Sequence, residues 1–284
     1  MSAHTILAVV SGDTGDRAVL DTAVAVAAPE LGVIDALHVK ADPREVLPLL
    51  GEGISMAGEV IAAIERDSAA RAAQARAVFD QWSGERKVTV QPTDTGQTMG
   101  GVTAIWREVT GRESEAASYL GRNADLLVLA RREDMPGMGT IEACVFNSGR
   151  PVLLAPATVP TKLGRHIGVF WNGSCQAARA VGDAMELLRQ AERVTVYTTG
   201  AEGPAPTAGE LARRLSRVGI TTLVDMVSPG VRIPAEALMT AAERDGIDLI
   251  VMGGYGHGRF REMILGGVTR AVIETGRTAV LLAH

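Results

Sequence analysis

The chain alternates short apolar runs with longer helix-like stretches, and the whole pattern occurs twice. The first set of runs lies at 5–10, 34–39, 88–91, 125–130 and 151–155, and the second at 167–170, 194–198, 222–227, 248–252 and 279–283. Short continuous apolar runs between helices are typical of buried parallel strands. The alternation therefore predicts an α/β fold made of two tandem, five-stranded, doubly wound parallel-sheet sandwiches.

The repeat is clearest in its closing segments. The stretch "ADLLVLARRE" (124–133) corresponds to "IDLIVMGGYG" (247–256), and "RPVLLAP" (150–156) corresponds to "TAVLLAH" (278–284). A turn-rich connector follows the first copy, so we expect domains at 1–156 and 165–284. The first half is longer, and its extra residues near 53–82 form an amphipathic pattern that predicts a long helix covering the sheet. A lid or a partner-binding element is the alternative role for this helix.

Composition argues against nucleic-acid-binding, membrane-spanning and disulfide-linked classes of protein. The formal net charge of the 284 residues is −5, and charges of both signs are interspersed, which argues against nucleic-acid binding. No apolar run approaches the length of a membrane span, and no signal segment opens the sequence, so we expect a cytoplasmic protein without membrane contact. Cys144 and Cys175 form no CxxC pair. They predict buried thiols rather than a disulfide or a metal site.

A glycine-rich segment, "GGYGHGRFREMILGGVTRAV" at 253–272, follows the fourth strand of the second half. Residues 253–259 form a predicted strand-to-helix loop whose bare backbone amides can converge on an anion, with His257 and Arg259 as further donors. The pair at 266–267 either precedes the start of the helix or marks a close approach of another backbone or ligand. These features predict a phosphate site. Neither a GxxxxGK[ST] loop nor a dinucleotide fingerprint is present.

The spacing Gly253-x2-Gly256-x9-Gly266, with its flanking strands, resembles the nucleotide motif of universal stress proteins, G-x2-G-x9-G-(S/T). Because the pattern is duplicated, the whole chain resembles a tandem, two-domain member of that family. The resemblance implies binding of ATP, with or without Mg²⁺, by the second half. The implied cofactor-binding residues are Asn172, Val196, Met252, Gly253, Gly256, His257, Gly258, Arg259, Gly266, Gly267, Val268 and Thr269.

Two of these positions depart from the family pattern. Asn172 stands where the family usually has Asp, so a hydrogen bond to the ribose loses its charge assistance. Gly267 stands where the family has Ser or Thr, which removes a hydroxyl but keeps the amide. Both changes predict weaker nucleotide binding. In the first half Arg131, Arg132 and Glu133 replace the loop glycines, so we expect that half to bind no nucleotide in this manner.

The leading hypothesis is a non-catalytic, adenine-nucleotide-binding stress sensor. The resemblance also implies pairing of the last strands of the two halves, 151–155 with 279–283, and a homodimer; a protein partner stays unnamed. Slow ATP hydrolysis is one alternative, for which Glu262 is the carboxylate nearest the loop. A scaffold that binds another ligand or a protein, without nucleotide, is the other.

Overall fold

The structure is a computed structural model of the 284-residue chain. It describes residues 4–46, 57–93, 100–131, 139–160, 162–200, 206–230, 233–254, 267–275 and 277–284. The chain forms two compact units, of which the first ends at Arg150 and the second begins at Pro151.

The first unit is a parallel sheet flanked by helices. Its strands run in the order β3-β4-β2-β1-β5 across the sheet, and every neighbouring pair is parallel. In chain order its elements are β1 (Thr5–Val9), α1 (Asp16–Val26), β2 (Val33–Lys40), α2 (Pro43–Val46), α3 (Ala57–Arg86), β3 (Thr89–Gln91), β4 (Thr103–Thr110), α4 (Glu113–Leu120), β5 (Leu126–Leu129) and α5 (Gly139–Asn147).

The second unit repeats this winding. Its order is β6-β11-β10-β7-β8-β9, in which β9-β8-β7-β10 corresponds to β4-β2-β1-β5 of the first unit, so the predicted α/β class is confirmed. Its elements are β6 (Val152–Leu154), β7 (His166–Phe170), α6 (Cys175–Asp183), α7 (Met185–Gln190), β8 (Arg193–Thr198), α8 (Ala208–Arg217), β9 (Thr222–Met226), α9 (Pro234–Arg244), β10 (Leu249–Gly253), α10 (Gly267–Thr275) and β11 (Ala279–Ala283).

One strand of the first unit was absent from the sequence prediction. β4 lies between β2 and β3, and it is not among the apolar runs from which the strands of the first half are predicted. The strand escapes an apolar search because it carries Arg107 and Glu108 in its middle. The guanidinium of Arg107 contacts the Asp35 carboxylate on β2 at 2.8 Å. The contact between the side chains of β4 and β2 at this point is therefore an ion pair and not an apolar contact.

The run at 151–155 is a strand, as predicted. It forms β6, which lies in the second unit and pairs antiparallel with β11, with Leu153 opposite Leu281. The predicted pairing of these two last strands is therefore confirmed. The sheet of the second unit thus contains one antiparallel pair, which a purely parallel sheet would lack.

The aspartates of the repeat perform the same task in each unit. A carboxylate oxygen of Asp125 accepts hydrogen bonds from the amides of His4 and Thr5, both at 3.0 Å. The Asp248 carboxylate accepts from the amides of Gly164, Arg165 and His166 at 2.8–3.2 Å. Each aspartate thus ties the amino end of β1 or β7 to the strand beside it.

The extra helix predicted near 53–82 is α3, of which the structure describes 57–86. It packs against α1 and β2, and its inward face buries Ala75, Phe79 and Trp82 completely. The Trp82 indole donates a hydrogen bond to an Asp21 carboxylate oxygen at 3.0 Å. α3 therefore covers the sheet as predicted. Within the described ranges no helix, including this 30-residue one, is long and apolar enough to span a membrane.

Replacing Phe79 with Ala should lower the free energy of unfolding by about 3–5 kcal/mol, because it removes a fully buried ring between α3 and Trp106. Urea denaturation at matched m-values measures the loss. Gln74→Ala, on the exposed side of the same helix, is the control and should stay within about 0.5 kcal/mol. Equal effects of the two substitutions would contradict the packing of α3 on the sheet.

Candidate functional site

The candidate site lies at the carboxyl edge of the sheet in the second unit. β7 sits between β8 and β10, so the strand order reverses direction between β7 and β10. Doubly wound sheets bind ligands outside the carboxyl ends of the strands at such a switch point. Asn172 follows β7, and Gly253 ends β10, so the structure brings these two predicted residues to one edge. Four other predicted contacts lie outside the described residues together with Gly266: Gly256, His257, Gly258 and Arg259.

Gly253 has a packing role that the motif does not reveal. A Cβ atom at this position would lie 2.5 Å from the Ala177 amide nitrogen and 2.9 Å from the Gln176 Cβ. The first turn of α6 therefore needs the bare backbone of β10 in order to approach this closely. The next residue, Gly254, donates its amide to the Ala283 carbonyl at 2.8 Å and so continues the pairing with β11.

Asn172 forms a tight turn that leads into α6. Its Oδ1 accepts a hydrogen bond from the Ser174 amide at 3.1 Å, and the Ser174 hydroxyl caps the helix by accepting from the Ala177 amide at 3.2 Å. The Asn172 side chain is exposed. An amide oxygen has two lone pairs, and the NH₂ group adds two donors. Asn172 can therefore bind a ligand hydroxyl while it keeps the turn.

Two further predicted residues lie inside the sheet. Met252 is 4% exposed and is paired with Phe170 on β7 and Leu282 on β11. Val196 is fully buried, two residues before β8 ends at Thr198. β8 ends at Thr198, and in the loop after it the Gly200 amide donates a hydrogen bond to the Thr198 hydroxyl oxygen at 3.2 Å. The sequence analysis missed these two residues, although the end of the apolar run marks them.

The residues at 267–269 differ in exposure along α10. Gly267 is exposed, and a Cβ atom there would meet nothing within 4 Å. Packing among the described residues therefore does not require this glycine, in contrast to Gly253. Val268 is half-buried, and Thr269 is buried, with 4% of its surface exposed. Of the three, Gly267 is the position most open to a ligand.

At the corresponding edge of the first unit, two backbone amides are already bonded to the protein's own carboxylate. The amides of Ser11 and Gly12, directly after β1, donate to the two oxygens of Asp16 at 2.8 and 2.9 Å. Amides in this position would otherwise be available to an anion. Arg131 follows β5 where the second unit has glycine, and burial lowers the pKa of its guanidinium to about 10. The expectation that this half binds no nucleotide stays a prediction.

The two cysteines occupy different environments. Cys144 is buried, and burial, aided by the negative charge of Glu113, raises the pKa of its thiol to about 12. Cys175 opens α6 and is exposed, so the prediction of two buried thiols is wrong for this residue.

The family match covers most of the second unit. Residues 164–284 match the model of the Universal stress protein family. A universal stress protein of Methanocaldococcus jannaschii is 40% identical over 52 residues, which make up 18% of this chain and 32% of that relative. The match thus spans about a third of the relative's length.

Solved structures extend the likeness of fold to the whole chain. A universal stress protein from Archaeoglobus fulgidus aligns with a TM-score of 0.66 at 15% identity, over 100% of this chain and 99% of that one. A universal stress protein candidate from Pseudomonas aeruginosa aligns with a TM-score of 0.58 at 13% identity, over 99% of this chain and 93% of that one. These structures share the fold of both units.

Gly253→Ala should destabilise the protein by about 1–3 kcal/mol, because the added methyl group overlaps the backbone of α6. Gly182→Ala is the matched control: it lies in α6 with open space around its Cβ position, and it should raise stability by about 0.5–1 kcal/mol. Chemical denaturation of both variants tests this. A Gly253→Ala protein as stable as the parent would show that the glycine is not needed for packing.

Native protein treated with iodoacetamide at neutral pH should be alkylated at Cys175 and not at Cys144, because the latter is buried and its thiol pKa is raised to about 12. Peptide mass mapping identifies the labelled site. Cys175→Ser should abolish native labelling, whereas unfolding in urea should restore reaction at Cys144. Rapid native labelling of Cys144 would contradict its packing.

Proposed function

We propose that this chain is a tandem universal stress protein that binds an adenine nucleotide, ATP, in its second unit without turning it over. The observation that carries the proposal is the spacing Gly253-x2-Gly256-x9-Gly266, which lies within the family match and begins at the carboxyl end of β10. Loops that leave a parallel strand with bare amides are suited to phosphate.

The described residues at this edge fit a nucleotide in two respects. Asn172 is exposed and offers an amide to a ribose hydroxyl, while Gly267 presents an unobstructed backbone before the buried Thr269. Bound ATP carries negatively charged phosphates, and any Mg²⁺ bound with it would be coordinated by the phosphate oxygens. The stretches 171–175, 199–200, 253–254 and 267–269 contain no Asp or Glu side chain that could ligate the ion.

The same lack of carboxylates supports a binding role over a catalytic one. Phosphoryl transfer to water requires a group that holds the metal and a group that orients the water. Glu262 is the carboxylate nearest the loop in sequence, and it lies outside the described residues. Binding without turnover would make the occupancy of the site follow the cellular nucleotide level, as a sensor requires.

We further propose that the protein works in the cytoplasm as a homodimer. β9 is the outer strand of the second unit, and Leu223, Val224 and Met226 on it are 53%, 45% and 72% exposed. An outer strand with exposed apolar side chains favours association with a further strand. Equilibrium sedimentation of the intact protein measures the assembly.

A scaffold that binds no nucleotide is the second candidate. The packing of Gly253 against α6 favours it, because one glycine of the motif is accounted for without a ligand.

Denaturing freshly purified protein and analysing the released small molecules separates the candidates. Release of about one nucleotide per chain, with no phosphate formed during incubation with Mg-ATP, supports the sensor. Phosphate formation that Gly256→Val abolishes would support the slow ATPase. No released nucleotide, together with no heat of binding on titration with ATP, would support the scaffold.

Asn172→Asp should strengthen ATP binding about fivefold, because a charged acceptor binds a ribose hydroxyl more strongly than a neutral one by about 1 kcal/mol. Isothermal titration measures the change. Asn123→Asp, an exposed position in the first unit, makes the same change of net charge and should leave affinity unaltered. A weaker Asn172→Asp complex would place the ribose away from this residue.

A further inference from the structure

The turn between β7 and α6 contains the only Asn-Gly pair of the sequence, Asn172 and Gly173. In such a pair the backbone nitrogen of the glycine can attack the side-chain amide carbon of the asparagine. Glycine obstructs this attack less than any other residue, because it has no Cβ atom. The pair is therefore a candidate for a covalent change that needs no enzyme.

The backbone amide after each asparagine distinguishes this pair from the rest of the chain. The sequence has three asparagines, and all of them are exposed: Asn123, Asn147 and Asn172. After the first, the Ala124 amide donates to the Gly121 carbonyl at 3.0 Å, and after the second, the Ser148 amide donates to the Cys144 carbonyl at 3.2 Å. Among the residues that the structure describes, the Gly173 amide donates no hydrogen bond. Its nitrogen is therefore available for the attack, whereas the other two are engaged.

The Ser174 amide favours the attack at the asparagine side chain. It donates to the Asn172 Oδ1 at 3.1 Å. When the glycine nitrogen adds to the side-chain carbon, negative charge develops on this oxygen, and a donor already directed at it stabilises that charge. Gly173 has a φ of +74°, a conformation in which a side chain would be strained. The turn therefore keeps glycine at the attacking position.

We propose that Asn172 is a site of spontaneous deamidation in the folded protein, with water as the co-reactant. The Gly173 nitrogen forms a bond to the Asn172 Cγ while the bond from Cγ to Nδ2 breaks. The proton of the Gly173 amide leaves with the side-chain nitrogen as ammonia, and a cyclic imide is formed. Water then adds to either carbonyl carbon of the imide and breaks its bond to nitrogen. The product is aspartate, or isoaspartate when the backbone now runs through the side-chain carbon.

Both products alter the carboxyl edge of the second unit, because each places a carboxylate where the parent has a neutral amide. The aspartate product can still accept the hydrogen bond from the Ser174 amide, so the turn into α6 is kept. The isoaspartate product has one more backbone carbon between β7 and α6. This displaces the Ser174 hydroxyl from the Ala177 amide that it caps at 3.2 Å. The isoaspartate product should therefore unfold at a lower temperature than the parent.

The effect on ligand binding rests on the nucleotide proposed for this edge. On that proposal the aspartate product should bind ATP about fivefold more tightly than the parent, as expected for Asn172→Asp, because it offers a charged acceptor to the ribose. The affinity of the site would then rise with the age of each molecule.

Incubation of the intact, folded protein for days at neutral and at mildly alkaline pH tests the modification. Peptide mass mapping should show the replacement of NH₂ by OH at Asn172, and no change at Asn123 or Asn147 over the same time. In ¹⁸O-enriched water the new carboxylate should carry the heavy isotope. The rate should rise with pH, because the attacking nitrogen must lose its proton.

Two variants separate the contribution of the structure from that of the sequence. Asn172→Gln lengthens the side chain by one methylene group, so ring closure is slower and the mass change at this position should disappear. Ala124→Gly creates a second Asn-Gly pair, at Asn123, whose amide retains its hydrogen bond to Gly121. This second pair should react more slowly than the native one. Equal rates at the two pairs would contradict the role assigned to the unbonded Gly173 amide.

The proposal is overturned if Asn172 reacts only after the protein is unfolded in urea, or if it reacts no faster than Asn123 and Asn147 in the native protein. Ion exchange separates the products from the parent by their added negative charge, and each fraction is then titrated with ATP beside Asn172→Asp. Deamidation with tighter binding by the aspartate product supports both proposals. Deamidation without ATP binding by any form supports the modification and refutes only the nucleotide site.

Discussion

A parallel sheet collects the carboxyl ends of its strands on one edge, and the backbone amides beyond those ends must find partners. The two units meet this requirement differently. In the first, Asp16 occupies the amides after β1 with a full negative charge. In the second, the neutral Asn172 and Ser174 form the turn after β7. The turn after β1 therefore contains a carboxylate, and the turn after β7 contains a neutral amide and a hydroxyl.

The glycines at the carboxyl edge of the second unit show that a glycine in a sequence motif can serve packing as well as ligand binding. Gly253 and Gly267 look alike in sequence, yet one is required by the approach of α6 and the other has open space around it. A substitution at Gly253 that abolished nucleotide binding would therefore report damage to the fold together with any loss of contact. Variants at Asn172 or Gly256 address the ligand more directly.

The sequence was sufficient for the α/β class, the doubled winding and the covering helix α3, because these depend on apolar periodicity. It was insufficient for β4, because the Arg107 side chain of this strand pairs with Asp35 of β2 and gives no apolar signal. It could not orient β6, since an apolar run fits a parallel or an antiparallel neighbour equally well. Nor could it separate packing from ligand contact at Gly253, because the deciding atoms belong to α6, some 75 residues earlier in the chain.

The antiparallel pairing of β6 with β11 has a consequence for dissecting the chain. The family match begins at residue 164, after β6, so a fragment cut at that boundary would leave behind the strand that shields β11. All five residues of β11 are buried and apolar. Without β6, the unpaired edge of β11 would favour strand-to-strand aggregation or domain-swapped dimers. A fragment that starts at Pro151 carries its own protective strand and should stay dispersed.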